Sequence, residues 1–209
     1  MEMERRTINM TELRVKSKPN SEEGEKTVRT IEGHAAVFNK WSEKMGGFFP
    51  YKERVLPGAF KDSIEKDDIR ALFNHNPDYV LGRNKSGTLE LKEDEKGLKV
   101  TIHPPDTQWA RDLLVSIDRG DITQMSFGFI VESDRWGLEE GMDVRELQKV
   151  KLFDVSPVTY PAYPQTDIGV RSIDEVFKKH KEEERQKKAI KAKEKLDLYK
   201  RKIEILSKY

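Results

Sequence analysis

Apolar and polar positions alternate through most of the first 160 residues, and the alternation predicts strands before anything else. Leu13 and Val15, with Thr11 before them, mark a first strand. Thr27-Val28-Arg29-Thr30-Ile31-Glu32-Gly33 reads as its partner, continuing into the core through Ala35-Ala36-Val37-Phe38. Residues 39–54 read as a loop, and Leu56-Pro57-Gly58-Ala59-Phe60 leads into a short helix ending near Ile64. Ile69 to Phe73 is a buried strand ending at His75, followed by a turn at Asn76-Pro77-Asp78. Thr88-Leu89-Glu90-Leu91-Lys92 and Leu98-Lys99-Val100-Thr101-Ile102 alternate around Glu95-Lys96-Gly97, a hairpin signal. Trp109, Leu113, Leu114 and Ile117 follow the helical period, with Asp106 or Thr107 as cap and Gly120 as stop. Strands return at Ser126 to Val131, Val144 to Lys151 and Leu152 to Val158. The fold class expected is mainly β with helices (α+β), built as a closed or nearly closed antiparallel barrel.

From about Ser172 the pattern changes. No Gly or Pro follows Gly169, and Lys and Glu dominate. Ala189, Ala192, Leu196, Tyr199, Ile203 and Leu206 recur at three- and four-residue spacing, a thin apolar stripe on a helix. Either it packs on its own domain or it meets another chain, including a second copy in a homodimer or oligomer. The expected organisation is a polar, partly disordered N-terminal segment 1–26 holding the possible first strand, a barrel domain over 10–171, and a charged helical tail over 172–209.

Composition adds bounds. The 209 residues are 35% apolar and 37% charged, as expected of one core carrying solvated appendages. Residues 172–209 hold 13 basic and 8 acidic residues, a net of +5; the remainder holds 26 and 30, a net of −4. An acidic body argues against nucleic acid as the main partner, though the tail alone could bind a polyanion. The absence of cysteine removes disulfides, thiolate metal sites and a cysteine nucleophile. No apolar signal run opens the chain and no stretch of 18 apolar residues occurs, so neither secretion nor a membrane partner is expected.

Three segments carry candidate chemistry. Leu72-Phe73-Asn74-His75-Asn76 places a histidine at the end of an apolar run. Gln124-Met125-Ser126-Phe127-Gly128-Phe129 places a serine inside one, and Lys151-Leu152-Phe153-Asp154-Val155 a carboxylate inside a third. A serine hydroxyl is a poor nucleophile until a base takes its proton, and imidazole is the usual base. Each residue also has a plain structural reading: histidines cap and bridge, buried serines bond to backbone, and Asp154 could sit on a solvated face. Ser126 is not in a Gly-x-Ser-x-Gly elbow. His34, His75, His103 and His180 show no metal-ligand spacing, and no phosphate-binding glycine loop occurs, so no metal and no cofactor is expected. Trp41, Phe48, Phe49 and Tyr51 near Lys44 and Lys52 read better as a covered loop than as a base-stacking platform.

Read together, these segments resemble the prohead (maturation) protease family of tailed bacteriophages. Leu56-Pro57-Gly58-Ala59-Phe60 looks like the family's early motif. The run from Ala71 through Pro77 to Leu81-Gly82-Arg83 is similar to its histidine motif, and Asp121 to Phe129 to its serine motif. Phe153-Asp154-Val155-Ser156-Pro157-Val158-Thr159-Tyr160-Pro161-Ala162 resembles its closing motif. The resemblance spans roughly residues 10–171 and extends more distantly to the herpesvirus assemblins, which use Ser-His-His on a seven-stranded barrel.

The resemblance implies Ser126 as nucleophile and His75 as general base. Assemblins place a second histidine third; by motif position Asp154 occupies that slot here, where a carboxylate would orient His75. His34 and His103 are rivals outside any matching motif. The resemblance further implies a serine endopeptidase packaged in the procapsid within the host cytoplasm. It would cleave the scaffold-like N-terminal region of the major capsid protein, and itself. An inert assembly protein that kept the fold is the alternative; the intact trio Ser126, His75 and Asp154 weighs against it.

Overall fold

The computed structural model describes residues 3–8, 13–19, 27–46, 50–160, 178–183 and 185–197. It divides into two units, Met1–Met45 with Pro50–Tyr163, and Gly46–Phe49 with Pro164–Tyr209. In the first, ten strands and two α-helices are described, with one 3-10 turn at Asn84–Ser86. In chain order they are β1 (Glu4–Ile8), β2 (Arg14–Pro19), β3 (Thr27–Val37), β4 (Tyr51–Val55), α1 (Lys61–Lys66), β5 (Arg70–Phe73), β6 (Asn76–Arg83), β7 (Leu89–Glu93), β8 (Gly97–Ile102), α2 (Gln108–Asp118), β9 (Gln124–Glu139) and β10 (Met142–Val158).

The strands form two sheets. One has the order β1-β9-β10-β5-β6 with β4 also on β10; the other runs β2-β3-β8-β7. The backbone of the first sheet is the β9–β10 hairpin, joined by Glu140 and Gly141, whose φ values of 50° and 80° suit a two-residue hairpin turn.

The expected closed antiparallel barrel is not formed. Neither sheet closes on itself or curls strongly; the first ends on β1 and β6, the second on β2 and β7. Nor is the pairing all antiparallel. Along one flank β10 pairs in parallel with β4 over Asp143–Leu147 and with β5 at Asp154 and Val155. Alternation says which face of a strand is buried and is silent about which strand lies at its edge, so closure could not be read from it.

Other expectations shift too. Residues 144–158 form one long strand with register shifts, not two. The loop assigned to 39–54 contains β4, and Trp41 lies under Arg54 at 4.2 Å. The strand predicted near Leu13 is β2, but β1 before it carried no alternation signal.

One core is shared by both sheets and both helices, with Phe60, Phe127, Phe129, Ile31, Leu98 and Leu152 at most 2% exposed. Phe60 meets Phe127 edge-on at 5.5 Å, and Phe127 stacks on Phe129 at 4.9 Å. Helix α2 buries Leu113, Leu114 and Ile117 as its period predicts, with Ala110 buried beside them and Trp109 only half-buried. It ends at Gly120 (φ 81°), where Gly120 N–H reaches Ile117 O and Asp121 N–H reaches Ser116 O, a Schellman closure. In the second unit residues 178–183 and 185–197 are helical, with Ile190 and Leu196 more than half exposed. Tyr199, Ile203 and Leu206 of the predicted stripe lie outside the described residues.

Candidate active site

Phe127 and Phe129 face the core, so strand alternation sends Ser126 and Gly128 to the opposite face of β9. Ser126 pairs across to Ser156 on β10 and to Thr7 on β1.

Asp154 reaches that same face through an irregularity. Leu152 is a core residue, and two positions later a regular strand would turn Asp154 into the core as well. The register shifts between Leu152, opposite Phe129, and Asp154, opposite Gly128, leaving Phe153 as an extra residue. The bulge turns Asp154 onto the face of Ser126, while Val155 points into the core.

His75 comes from the other side of β10. It lies in the two-residue connection between β5 and β6, where Phe73 pairs with Asn76. Asn74 and His75 both have positive φ, 52° and 57°, so the turn expected at Asn76-Pro77-Asp78 lies two residues earlier and β6 runs through those positions. A non-glycine residue held there costs on the order of 1–3 kcal/mol, and asparagine and histidine tolerate it better than most. Three contacts hold the turn to the end of β10. Asn74 N–H donates to Pro157 O (3.0 Å), Asn74 Nδ2 to Thr159 Oγ1 (3.1 Å), and Thr159 N–H to Asn74 Oδ1 (2.9 Å).

These elements bring the three sequence candidates into one chain of contacts. His75 Nε2 lies 2.7 Å from Ser126 Oγ, and His75 Nδ1 lies 2.6 Å from Asp154 Oδ2. An ionised carboxylate only accepts, so Nδ1 carries the proton and Nε2 presents its lone pair to the serine hydroxyl. All three are well buried, with Ser126 at 0% exposure.

The rivals are elsewhere. His34 Nε2 pairs with Asp94 at 2.9 Å, and His103 Nε2 with Glu90 at 2.8 Å, each linking a strand of the second sheet to a residue just beyond one of its strands. Among the described residues no group of three or more His, Asp or Glu is placed to hold a metal ion.

Three further participants went unassigned in the sequence. Ser156 Oγ donates to Asp154 Oδ2 at 2.7 Å. Gly128 leaves the room that Asp154 fills; a Cβ there would lie 2.5 Å from Asp154 Oδ1. A glycine inside a strand is the signal for such close approach. The third is β1: Ser126 Oγ also lies 2.9 Å from the carbonyl oxygen of Arg6.

Beneath β1, on the core side, lies a buried ionic cluster. Arg6 Nε donates to Glu53 Oε1 (2.7 Å), and Arg145 to Glu53 Oε2 (2.9 Å), Glu4 Oε2 (3.0 Å) and Asp134 Oδ2 (2.7 Å). Burial alone would raise the Glu4 pKa, but Arg6 and Arg145 outweigh it and hold the carboxyl below its ordinary value. Burial pushes the Tyr51 phenol up, and the neighbouring Glu53 adds to this.

Comparison with known proteins adds the family. No curated protein matches the chain. Among solved structures, that of the bacteriophage T4 capsid assembly protease, gp21, is similar with a TM-score of 0.43 and 11% identity, over 76% of this chain and 99% of that one. No described helix is long and apolar enough to cross a membrane. The model of the Caudovirus prohead serine protease family matches residues 14–181, a span that includes Ser126, His75 and Asp154. With most of its length inside that match, the chain belongs to the Caudovirus prohead serine protease family and is a serine protease of capsid maturation.

Proposed function

We propose that Ser126, His75 and Asp154 are the catalytic triad of this protease. The observation that carries the reading is the unbroken line of short contacts, 2.7 Å from Oγ to Nε2 and 2.6 Å from Nδ1 to Oδ2. As Ser126 Oγ attacks a peptide carbonyl carbon, its proton passes to His75 Nε2. Asp154 fixes the tautomer and stabilises the imidazolium that forms. His75 then gives the proton to the departing amine, and water releases the acyl group by the same steps in reverse. Ser156 donates to the oxygen of Asp154 that faces His75, which keeps that carboxylate aimed.

The substrate we assign is the scaffold-like N-terminal region of the major capsid protein, met inside the procapsid, together with the protease chain itself. Family membership supports this assignment, as does a body that is net acidic and poorly suited to nucleic acid. Residues 172–209 are proposed as a tail distinct in sequence character from the catalytic domain, whose apolar stripe serves a helical partner.

The test is incubation of the purified protein with the capsid protein of the same phage, read by intact-mass spectrometry. The expected result is loss of an N-terminal segment of the capsid protein, abolished by Ser126→Ala. Equal cleavage by the folded Ser126→Ala variant would contradict the reading.

A further inference from the structure

The nucleophile proposed above has no exposed surface, and what lies against its hydroxyl is a peptide carbonyl of the chain's own N-terminus. Strand β1 pairs antiparallel with β9 in the register Glu4↔Phe129, Arg6↔Phe127, Thr7↔Ser126, so the Arg6–Thr7 peptide bond lies opposite the serine. A hydroxyl has one hydrogen, and Arg6 O at 2.9 Å competes for it with His75 Nε2 at 2.7 Å. While β1 is in place the serine is both covered and partly withheld from its base.

Two observations set β1 apart from the scaffold. It precedes the span 14–181 that the family model matches. Its two side chains in the buried cluster, Glu4 and Arg6, also leave as a balanced pair. Without Glu4 and Arg6, Arg145 still has Glu53 at 2.9 Å and Asp134 at 2.7 Å, so no buried charge is stranded. What remains is an open edge of β9, which is a template for an extended peptide. Beside that edge stand one carboxylate and one guanidinium, spaced to meet alternate side chains of a strand.

We propose that β1 stands in the place of the substrate. An extended peptide docks antiparallel on the edge of β9. Glu53 receives a basic side chain at the residue whose carbonyl meets Ser126, and Arg145 receives an acidic side chain two residues earlier. The preferred substrate therefore carries the pattern acidic-x-basic before its cut, as Glu4-Arg5-Arg6 does, and β1 must be displaced before cleavage. The proposal rests on the triad reading, so docking and hydrolysis are measured separately.

Docking is measured by fluorescence anisotropy of a labelled peptide with the sequence of residues 3–8, added to a chain lacking residues 1–8 and carrying Ser126→Ala. The peptide is expected to bind, and its Arg6→Glu version to bind at least about tenfold more weakly, for a like charge at Glu53. Hydrolysis is measured on a longer capsid-derived peptide. If β1 leaves its place about a tenth of the time, removing it raises the rate about tenfold, and Arg6→Glu in the intact chain raises it in the same direction without shortening. Binding that ignores the Arg6→Glu change, or rates unaffected by both alterations in folded protein, overturns the proposal. Specific binding with no hydrolysis by either active-form chain leaves the docking edge standing and removes the triad instead.

Discussion

Asp154 occupies the space that a side chain on Gly128 would need. The carboxylate oxygen Oδ1 lies 2.5 Å from the position of a Cβ on that glycine, across the β9–β10 pair. The glycine therefore decides where the carboxylate rests, and through it where the His75 ring is held.

Gly128→Ala is expected to leave the fold cooperative and to push Asp154 off His75 Nδ1. The penalty should resemble partial loss of an orienting carboxylate, roughly 10²–10⁴ in kcat/KM. Steady-state kinetics on a peptide substrate checks it; a rate within threefold of wild type would mean that Asp154 finds another route to the imidazole.

Asp154→Asn should cost about 10⁴ in kcat, since an amide neither stabilises the imidazolium nor enforces the tautomer. Ser156→Ala should cost less, because it removes one hydrogen bond to the carboxylate and leaves the charge. The order Asp154→Asn worse than Ser156→Ala is the outcome to look for in parallel kinetics. Activity that survives Asp154→Asn but is lost in His34→Ala or His103→Ala would reassign the third member.

The trio itself was legible in the chain because each member stands in an apolar run that matches a family motif. What brings them together was not. The bulge at Phe153 that turns Asp154 onto the serine's face is a matter of register between two strands, and residue type does not encode it locally. The turn at Asn74 and His75 was displaced by the louder Asn-Pro-Asp signal two residues later, which lies in β6. Likewise β1 has a charged stretch, Glu4-Arg5-Arg6, held by partners as remote as Glu53 and Arg145, and no window on the sequence contains both ends of those pairs.

Asn74→Ala should destabilise the protein by about 1–3 kcal/mol, through a strained backbone and a side-chain clamp to Thr159 that is gone. Asn74→Gly keeps the turn's backbone preference and loses only the clamp. Urea unfolding should therefore rank wild type above Asn74→Gly above Asn74→Ala, and kcat should fall in both variants as His75 loses its tether. Equal stability of the alanine variant would remove the clamp from the account.

The buried ionic cluster gives the stability a definite pH dependence. The Glu4 carboxyl sits below its ordinary value of 4.5 in the folded chain because Arg6 and Arg145 overcome its burial. Its contribution is thus fully present above pH 4.5 and is lost as acid protonates it through the lower folded value. Glu146, hydrogen-bonded by Arg54 and Arg135, is depressed in the same sense. Arg145→Met should cost about 3–5 kcal/mol near neutrality by stranding buried carboxylates. That gap should narrow below pH 4.5, where Glu4 becomes neutral more readily in the variant. Urea melts of both proteins at neutral and acid pH check this; a gap that widens in acid has the wrong sign for the account.

The central claim is that His75 makes Ser126 a nucleophile. Labelling of the intact protein with a fluorophosphonate, taken to completion and mapped by peptide mass spectrometry, tests it most directly. The account predicts a single phosphonyl adduct on Ser126, absent in Ser126→Ala and slowed by orders of magnitude in His75→Ala. An adduct on another serine, or labelling of Ser126 at an unchanged rate without the imidazole, would contradict it.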